Sequence, residues 1–277
     1  MSDSTVVPLV GRRDDRKERT SQSLNWDAVA DGMPDFYAAP STQYYRACEI
    51  ELLNREVGSL AGKKILKLDL WNEAINTRIL AWMKSQGADV YGMDLSHVVT
   101  TRAKNTSRSE GADLSLARAD IREVPFRSSS FDLVYTMGTI EHIPEYAQAL
   151  AEINRVLKPG GRAIIGVPYK WDIFLRPLLV MALESIGKYP YAPEKSFSAR
   201  ALKREVEASG LVVRKRTGIL IIPGILRMAD LFLHTRKVPL ARMTTPLMKF
   251  FEFVETRFAW VPGRIGYLIT MVADKPR

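Results

Sequence analysis

Ile65-Leu66-Lys67-Leu68-Asp69-Leu70-Trp71-Asn72-Glu73-Ala74-Ile75-Asn76 joins a short apolar run to a helical pattern. In an open α/β sheet the first such turn ordinarily carries several glycines, which let the backbone approach a bound nucleotide. Here no glycine occurs between Gly62 and Gly87. If Lys67 takes the acidic position near the strand end, Asp69, Trp71 and Glu73 fall where the glycines usually sit. A register shifted by two residues puts Asp69 in that acidic position instead. The turn is charged and bulky on either reading, so the fold is decided by what surrounds it.

The surroundings alternate between strand and helix. Apolar runs predict strands at residues 65–70, 89–93, 113–117, 131–136 and 162–167, and amphipathic spacing predicts helices at 74–84, 98–107 and 145–157. Lys158-Pro159-Gly160-Gly161 stops the last of these helices. Short turns between such elements indicate a parallel sheet covered by helices on both faces. Upstream, residues 26–57 read as helical, and residues 1–24 as a flexible leader to one domain spanning 25–277. Beyond Pro168 the regularity breaks. Residues 169–197 look inserted, 198–209 are helical, 211–219 alternate as a strand, 220–263 form a second insertion, and 267–273 close the sheet. The expectation is a Rossmann-like α/β fold with seven strands, the final pair a hairpin, and apolar insertions after strands 5 and 6.

Composition narrows the class. The 277 residues are 46% hydrophobic and 26% charged, which suits one sizeable core and excludes wholesale disorder. The single Cys48 excludes an intrachain disulfide framework, and His97, His142 and His234 show no metal-ligand spacing with it. No run approaches the ~18 apolar residues of a membrane span, and the polar amino terminus has no signal-peptide character. A cytoplasmic location is expected. Charge is uneven: from Tyr169 onward there are 19 of the 40 basic but 9 of the 31 acidic residues, a net of +10 against −1 for the first 168. A basic, apolar second half suits an acidic or membrane-surface partner.

Three segments then give the pattern a family. They are Val90-Tyr91-Gly92-Met93-Asp94-Leu95-Ser96; Ala119-Asp120-Ile121 with Val124-Pro125-Phe126; and Phe131-Asp132-Leu133-Val134-Tyr135-Thr136 running to Ile140-Glu141-His142-Ile143. With Glu152-Ile153-Asn154-Arg155-Val156-Leu157-Lys158-Pro159-Gly160-Gly161, the chain resembles the class I S-adenosylmethionine-dependent methyltransferases, in particular those that modify small molecules and lipids. The resemblance covers about two-thirds of the chain.

It implies S-adenosyl-L-methionine as cofactor and assigns roles along the chain. Asp94, with Leu95 beside it, would accept hydrogen bonds from the ribose hydroxyls, although an Asp there also suits a helix N-cap. Asp120 would accept from the adenine amino group while Ile121 packs on the ring; alternatively Asp120 fixes its own turn. Thr136 and Met137 would lie near the methionine part. On the shifted register Asp69 would receive the methionine ammonium, and Trp71 or Asn72 would shape the pocket. Glu141 and His142 would stand where the methyl is transferred, with His142 suited to general base work or else to capping and packing.

Other readings compete. A methyltransferase fold that has lost its cofactor could serve as a binding or accessory subunit, and the missing glycines favour it. Retention of Asp94, Asp120 and the Glu141-His142 pair favours an active enzyme. Tyr191-Ala192-Pro193-Glu194-Lys195 fits the Tyr-x-x-x-Lys spacing of a nicotinamide-dependent reductase, but Pro193 disfavours the helix which that spacing requires. The insertions carry Trp171, Phe174 and Leu178, then Ile219 to Leu226, then Phe250, Phe251 and Phe253, among Lys and Arg. They predict a hydrophobic or lipid-like acceptor and peripheral contact with an anionic membrane. The aromatic residues lack a nucleic-acid recognition arrangement.

Overall fold

The computed structural model describes residues 26–174, 176–186, 194–238 and 241–277. The leader at residues 1–24 and positions 191–193 of the Tyr-x-x-x-Lys motif lie outside the described residues. Seven strands form one mixed sheet: β1 (Lys64–Lys67), β2 (Asp89–Asp94), β3 (Ser115–Arg118), β4 (Phe131–Met137), β5 (Leu157–Pro168), β6 (Val212–Ile219) and β7 (Leu268–Asp274). Their order is β3-β2-β1-β4-β5-β7-β6. The first five run parallel, and β7 enters antiparallel between β5 and β6. The expected seven-stranded fold is therefore present, and the last two strands pair through a long connection that carries three helices.

Those helices are α8 (Gly224–Thr235), α9 (Ala241–Arg257) and α10 (Pro262–Ile265), and before them come α1 (Pro40–Val57), α2 (Trp71–Ile75), α3 (Ile79–Ser85), α4 (His97–Ser109), α5 (Tyr146–Val156), α6 (Arg176–Ser185) and α7 (Ala199–Ala208). One buried apolar cluster joins Leu52, Leu70, Ile79 and Val90 on one face of the sheet; a second joins Leu66, Val134, Leu150 and Leu202 on the other. Alternate strand residues supply the two clusters, which is why Ile65 and Leu66 fall on opposite faces. Among the described residues, no helix is long and apolar enough to cross a membrane.

Three local readings are corrected. The helix expected at 74–84 is two helices. The backbone N–H groups of Asn76 and Arg78 both return to the Asn72 carbonyl at 3.0 Å, and Arg78 takes a left-handed φ of 53°. That costly conformation is held by ion pairs to Asp35 and Glu110 and by the Tyr37 ring, 4.1 Å from the guanidinium. The helical stretch expected at 26–57 breaks after residue 31, where Gly32 and Pro34 intervene. The fifth strand begins at Leu157, so the Lys158–Gly161 segment is an irregularity inside β5. Gly160 adopts a φ of +77° there, and a Cβ on Gly161 would sit 2.9 Å from the Lys158 carbonyl oxygen.

Candidate active site

The strand order reverses between β1 and β4, and a cavity of about 250 Å³ opens at the carboxyl ends of the parallel strands there. Leu68 and Asp69 follow β1, Asp94 and Leu95 close β2, Ala119 to Arg122 follow β3, Met137 to Thr139 close β4, and Pro168 ends β5. Nine of the ten residues singled out from sequence line this wall: Asp69, Trp71, Asp94, Leu95, Asp120, Ile121, Met137, Glu141 and His142. Thr136 does not. It is fully buried, its neighbour Met137 faces the cavity, and successive strand residues point to opposite faces.

The first turn needs no glycine because it does not turn as a glycine loop does. Among the described residues, left-handed non-glycine backbone occurs at Arg78, Ser129, Leu220 and Lys237, and nowhere from Lys67 to Thr77. The chain passes from β1 directly into α2. Leu70 lies against Gly92 of β2, where a Cβ would come within 2.6 Å of the leucine methyl. Lys67, the last paired residue of β1, is completely buried. Its Nζ donates to Asp69 Oδ1 at 2.5 Å and to the Asp69 carbonyl at 2.7 Å, with Glu73 Oε1 3.9 Å away. Both Glu73 oxygens accept the Leu80 N–H at 3.2 Å, satisfying one open donor at the start of α3. Burial opposes the lysine charge, but Asp69 and Glu73 overcome it and hold its pKa above the ordinary value.

At the neighbouring strand end Asp94 has a different setting. Its Oδ2 accepts the Leu70 N–H and its Oδ1 the Ser96 N–H, each at 2.9 Å. The N-cap of α4 is Ser96, whose hydroxyl accepts from Val99, so Asp94 is not the cap. Burial raises the Asp94 carboxyl to about 6 against those two donors. Asp120 does fix its own turn: Oδ1 accepts the Arg122 N–H at 2.8 Å, and the same carboxylate pairs with the Arg122 guanidinium.

Glu141 and His142 lie on a short 3-10 helix, Ile140–His142, after β4. Burial holds the Glu141 carboxyl well above the usual range. Its Oε1 lies 3.9 Å from His142 Nε2. The His142 ring meets the Trp26 edge at 5.1 Å, and Trp26 meets Trp71 at 6.2 Å. Asp27 ties that segment down by accepting from the Ser96 hydroxyl and the Val98 N–H. Asn72, offered from the sequence as an alternative to Trp71, also lines the cavity, and sequence reasoning missed Trp26, Tyr45, Arg176, Glu194 and Arg227 in the same lining. These five come from segments remote from the motifs in sequence, and no local pattern marks them.

Residues 59–165 match the family model described as a methyltransferase domain. Demethylmenaquinone methyltransferase of Thermus thermophilus is 30% identical over 175 residues, which cover 56% of this chain and 76% of that enzyme. Among solved structures, the cyclase SpnF superposes with a TM-score of 0.61 at 15% identity, covering 97% of this chain and 98% of its own. Geranyl diphosphate methyltransferase, solved with S-adenosylmethionine, gives 0.55 at 15% identity, covering 83% and 85%. At such identities the structural likeness speaks to the fold alone.

Proposed function

This chain belongs to the class I S-adenosylmethionine-dependent methyltransferases, and from that premise we propose how its cavity holds the methyl donor and which acceptor it serves. S-Adenosylmethionine is the cofactor, and the residues present fit it. Among the described residues, Asp69 Oδ2, Glu141 Oε2 and Thr139 Oγ1 are buried without a hydrogen-bond partner, and all three residues line the cavity. Desolvated acceptor oxygens of this kind call for a cation or a donor-rich ligand. Asp94 receives the ribose hydroxyls with the lone pairs that its two backbone donors leave open. Ile121 covers the adenine, and Asp120, already engaged by Arg122, contributes what acceptor capacity remains. Asp69 receives the methionine ammonium, with Trp71, Leu95 and Met137 shaping the walls around it.

When bound, the cofactor supplies an electrophilic methyl group on a sulfonium. The chain contributes position and proton handling. Trp26 and Trp71 exclude water on one side, and Glu141 orients polar groups beside His142. His142 accepts the acceptor's proton at an imidazole nitrogen. The observation that carries this reading is the convergence of Asp94 with the unpartnered oxygens of Asp69 and Glu141 on one cavity. Calorimetry with S-adenosylmethionine and S-adenosylhomocysteine tests it. Micromolar binding is expected, and no heat together with no thermal shift for either ligand overturns the assignment.

The acceptor is small and hydrophobic or lipid-like. Leu220, Leu231, Tyr267 and Leu268, all contributed from beyond β6, form part of the wall. The 30% identical relative compared above is named for demethylmenaquinone. Outside the cavity, Trp171, Ile225, Met228, Phe232, Phe250 and Phe253 are exposed, and Lys170, Arg236, Lys249 and Arg257 accompany them in sequence. Apolar side chains among cations suit peripheral contact of a cytoplasmic protein with an anionic bilayer. Co-sedimentation with phosphatidylserine vesicles at low salt is expected, and its absence removes the membrane part of this reading.

A further inference from the structure

Three arginines line the cavity, Arg122, Arg176 and Arg227. Two are committed to carboxylates. Arg122 pairs with Asp120 and Glu145 at 2.8 Å, and Arg176 pairs with Glu194 while lying 4.5 Å from the centre of the Tyr267 ring. Arg227 is set differently. Among the described residues it makes no ion pair; its Nη1 donates to the Ser41 carbonyl at 3.1 Å and its guanidinium stands 5.3 Å from the centre of the Tyr45 ring. Tyr45 is no counter-ion, because burial and the nearby Glu49 push its phenol well above the ordinary value and keep it neutral. Asp230, one turn along α8, is engaged elsewhere: Oδ2 accepts the Ser41 N–H at 2.8 Å, and Oδ1 accepts the Thr244 hydroxyl at 2.5 Å. The same contacts pin α8 to the first turn of α1, so the guanidinium is held in place before any ligand arrives.

A half-buried guanidinium with a fork of N–H donors, one used and no carboxylate beside it, is a receptor for an anionic oxygen group. We propose that Arg227 is the anion receptor of this cavity, whose lining also includes the carboxyl groups of Asp69, Asp94 and Glu141. Its ligand is a carboxylate or phosphate oxygen pair that lies against the guanidinium edge. Two molecules of the proposed reaction offer that chemistry, the amino-acid carboxylate of the cofactor and an acid group on the acceptor. Only the first of these sources rests on the methyl-donor reading above.

Titration calorimetry on the full chain and on Arg227→Gln separates the sources. One arm compares S-adenosylhomocysteine with its decarboxylated analogue, which keeps the amine; the other compares dodecanoate with dodecanol. If the cofactor carboxylate is the ligand, the wild type prefers S-adenosylhomocysteine by about ten- to a hundredfold and the variant loses that preference, as removal of a charge-assisted pair predicts. If an acceptor acid is the ligand, Arg227→Gln leaves that pair of affinities unchanged and instead erases a preference for dodecanoate over dodecanol. Unchanged preferences in both arms overturn the proposal. Should Arg227→Gln not fold, Arg227→Lys replaces it. The ammonium lacks the planar fork, so the relevant preference falls several-fold, and a full preference in that variant also overturns the assignment. A wild type that binds neither adenosyl ligand contradicts the methyl-donor reading, while the dodecanoate arm still tests Arg227.

Discussion

The ends of β1 and β2 lie side by side in the sheet and present carboxylates to the same cavity, but they hold them in opposite ways. Among the described residues, Asp94 is held by two backbone N–H groups and has no cation at hydrogen-bond distance. Asp69 sits over a buried lysine from its own strand, with one oxygen bonded to Lys67 Nζ and the other without a partner among those residues. The difference shows how a first turn without glycine stays compatible with an open site. Side chains have replaced bare backbone. Leu70 fills the hollow over Gly92, Glu73 satisfies the start of α3, and Lys67 offsets the negative charge that Asp69 and Glu73 bring in. What reads as a lost cofactor loop is a wall rebuilt around an internal ion pair.

Removing the lysine should break that comparison most severely. Lys67→Met leaves Asp69 and Glu73 in a dry interior without their cation, and a broken buried pair typically costs about 3–5 kcal/mol. Urea denaturation reads the loss. A change under about 1 kcal/mol would mean that the carboxylates simply take up protons, and that the two strand ends are less different than their contacts suggest. The next effect falls on binding. On the proposed ribose role, Asp94→Ala removes two charge-assisted hydrogen bonds, each worth about 1.5–3 kcal/mol, so S-adenosylhomocysteine affinity should drop by about a hundredfold or more. Asp69→Asn keeps an oxygen in place beside the lysine and should cost about tenfold. Equal losses in the two variants would erase the contrast. An effect in the same range is expected for Gly92→Ala. Its methyl would meet Leu70, Leu116 and Leu80 side chains at 2.6 to 2.9 Å, an overpacking worth about 1–3 kcal/mol in the same denaturation experiment.

The contrast also marks what a sequence can tell. The alternation of strands and helices was legible because periods of two and near 3.6 are local properties. The candidate site residues came from the family resemblance, and the strand pattern explains why they gather: every parallel strand delivers its carboxyl end to one edge, and Asp94, Asp120 and Glu141 lie at or just after such ends. Thr136 was misplaced by a single step of strand alternation. The break between α2 and α3 depends on Asp35 and Glu110 meeting Arg78, partners that only the folded chain brings together. Lys67 looked like a lost acidic residue because its partner stands two positions away on the next turn rather than on a ligand. Trp26 and Arg227 were invisible for the same reason at longer range.

The gentlest way to separate the two strand ends is to titrate them. Burial raises the folded Asp94 carboxyl from its ordinary value to about 6. A carboxyl raised by folding binds its proton more tightly in the native state, so its contribution to stability is complete below the ordinary carboxylate range and is lost as pH rises through about 6. Glu73, raised by burial to about 7, acts with the same sign. From these two groups, the ligand-free protein should melt at lower temperature at pH 8 than at pH 5. On the proposed ribose role, cofactor binding runs the other way, because ribose hydroxyls donate to the ionised form. Affinity for S-adenosylhomocysteine should climb by about tenfold from pH 5 and level off above pH 7, following one ionisation near 6. Glu73 does not line the cavity, so Asp94→Asn, which cannot ionise, should flatten the rise while leaving the Glu73 share of the melting trend. A wild-type affinity that stays level from pH 5 to 8 would mean that Asp94 is already ionised throughout. Its two backbone donors would then do for β2 what the buried lysine does for β1.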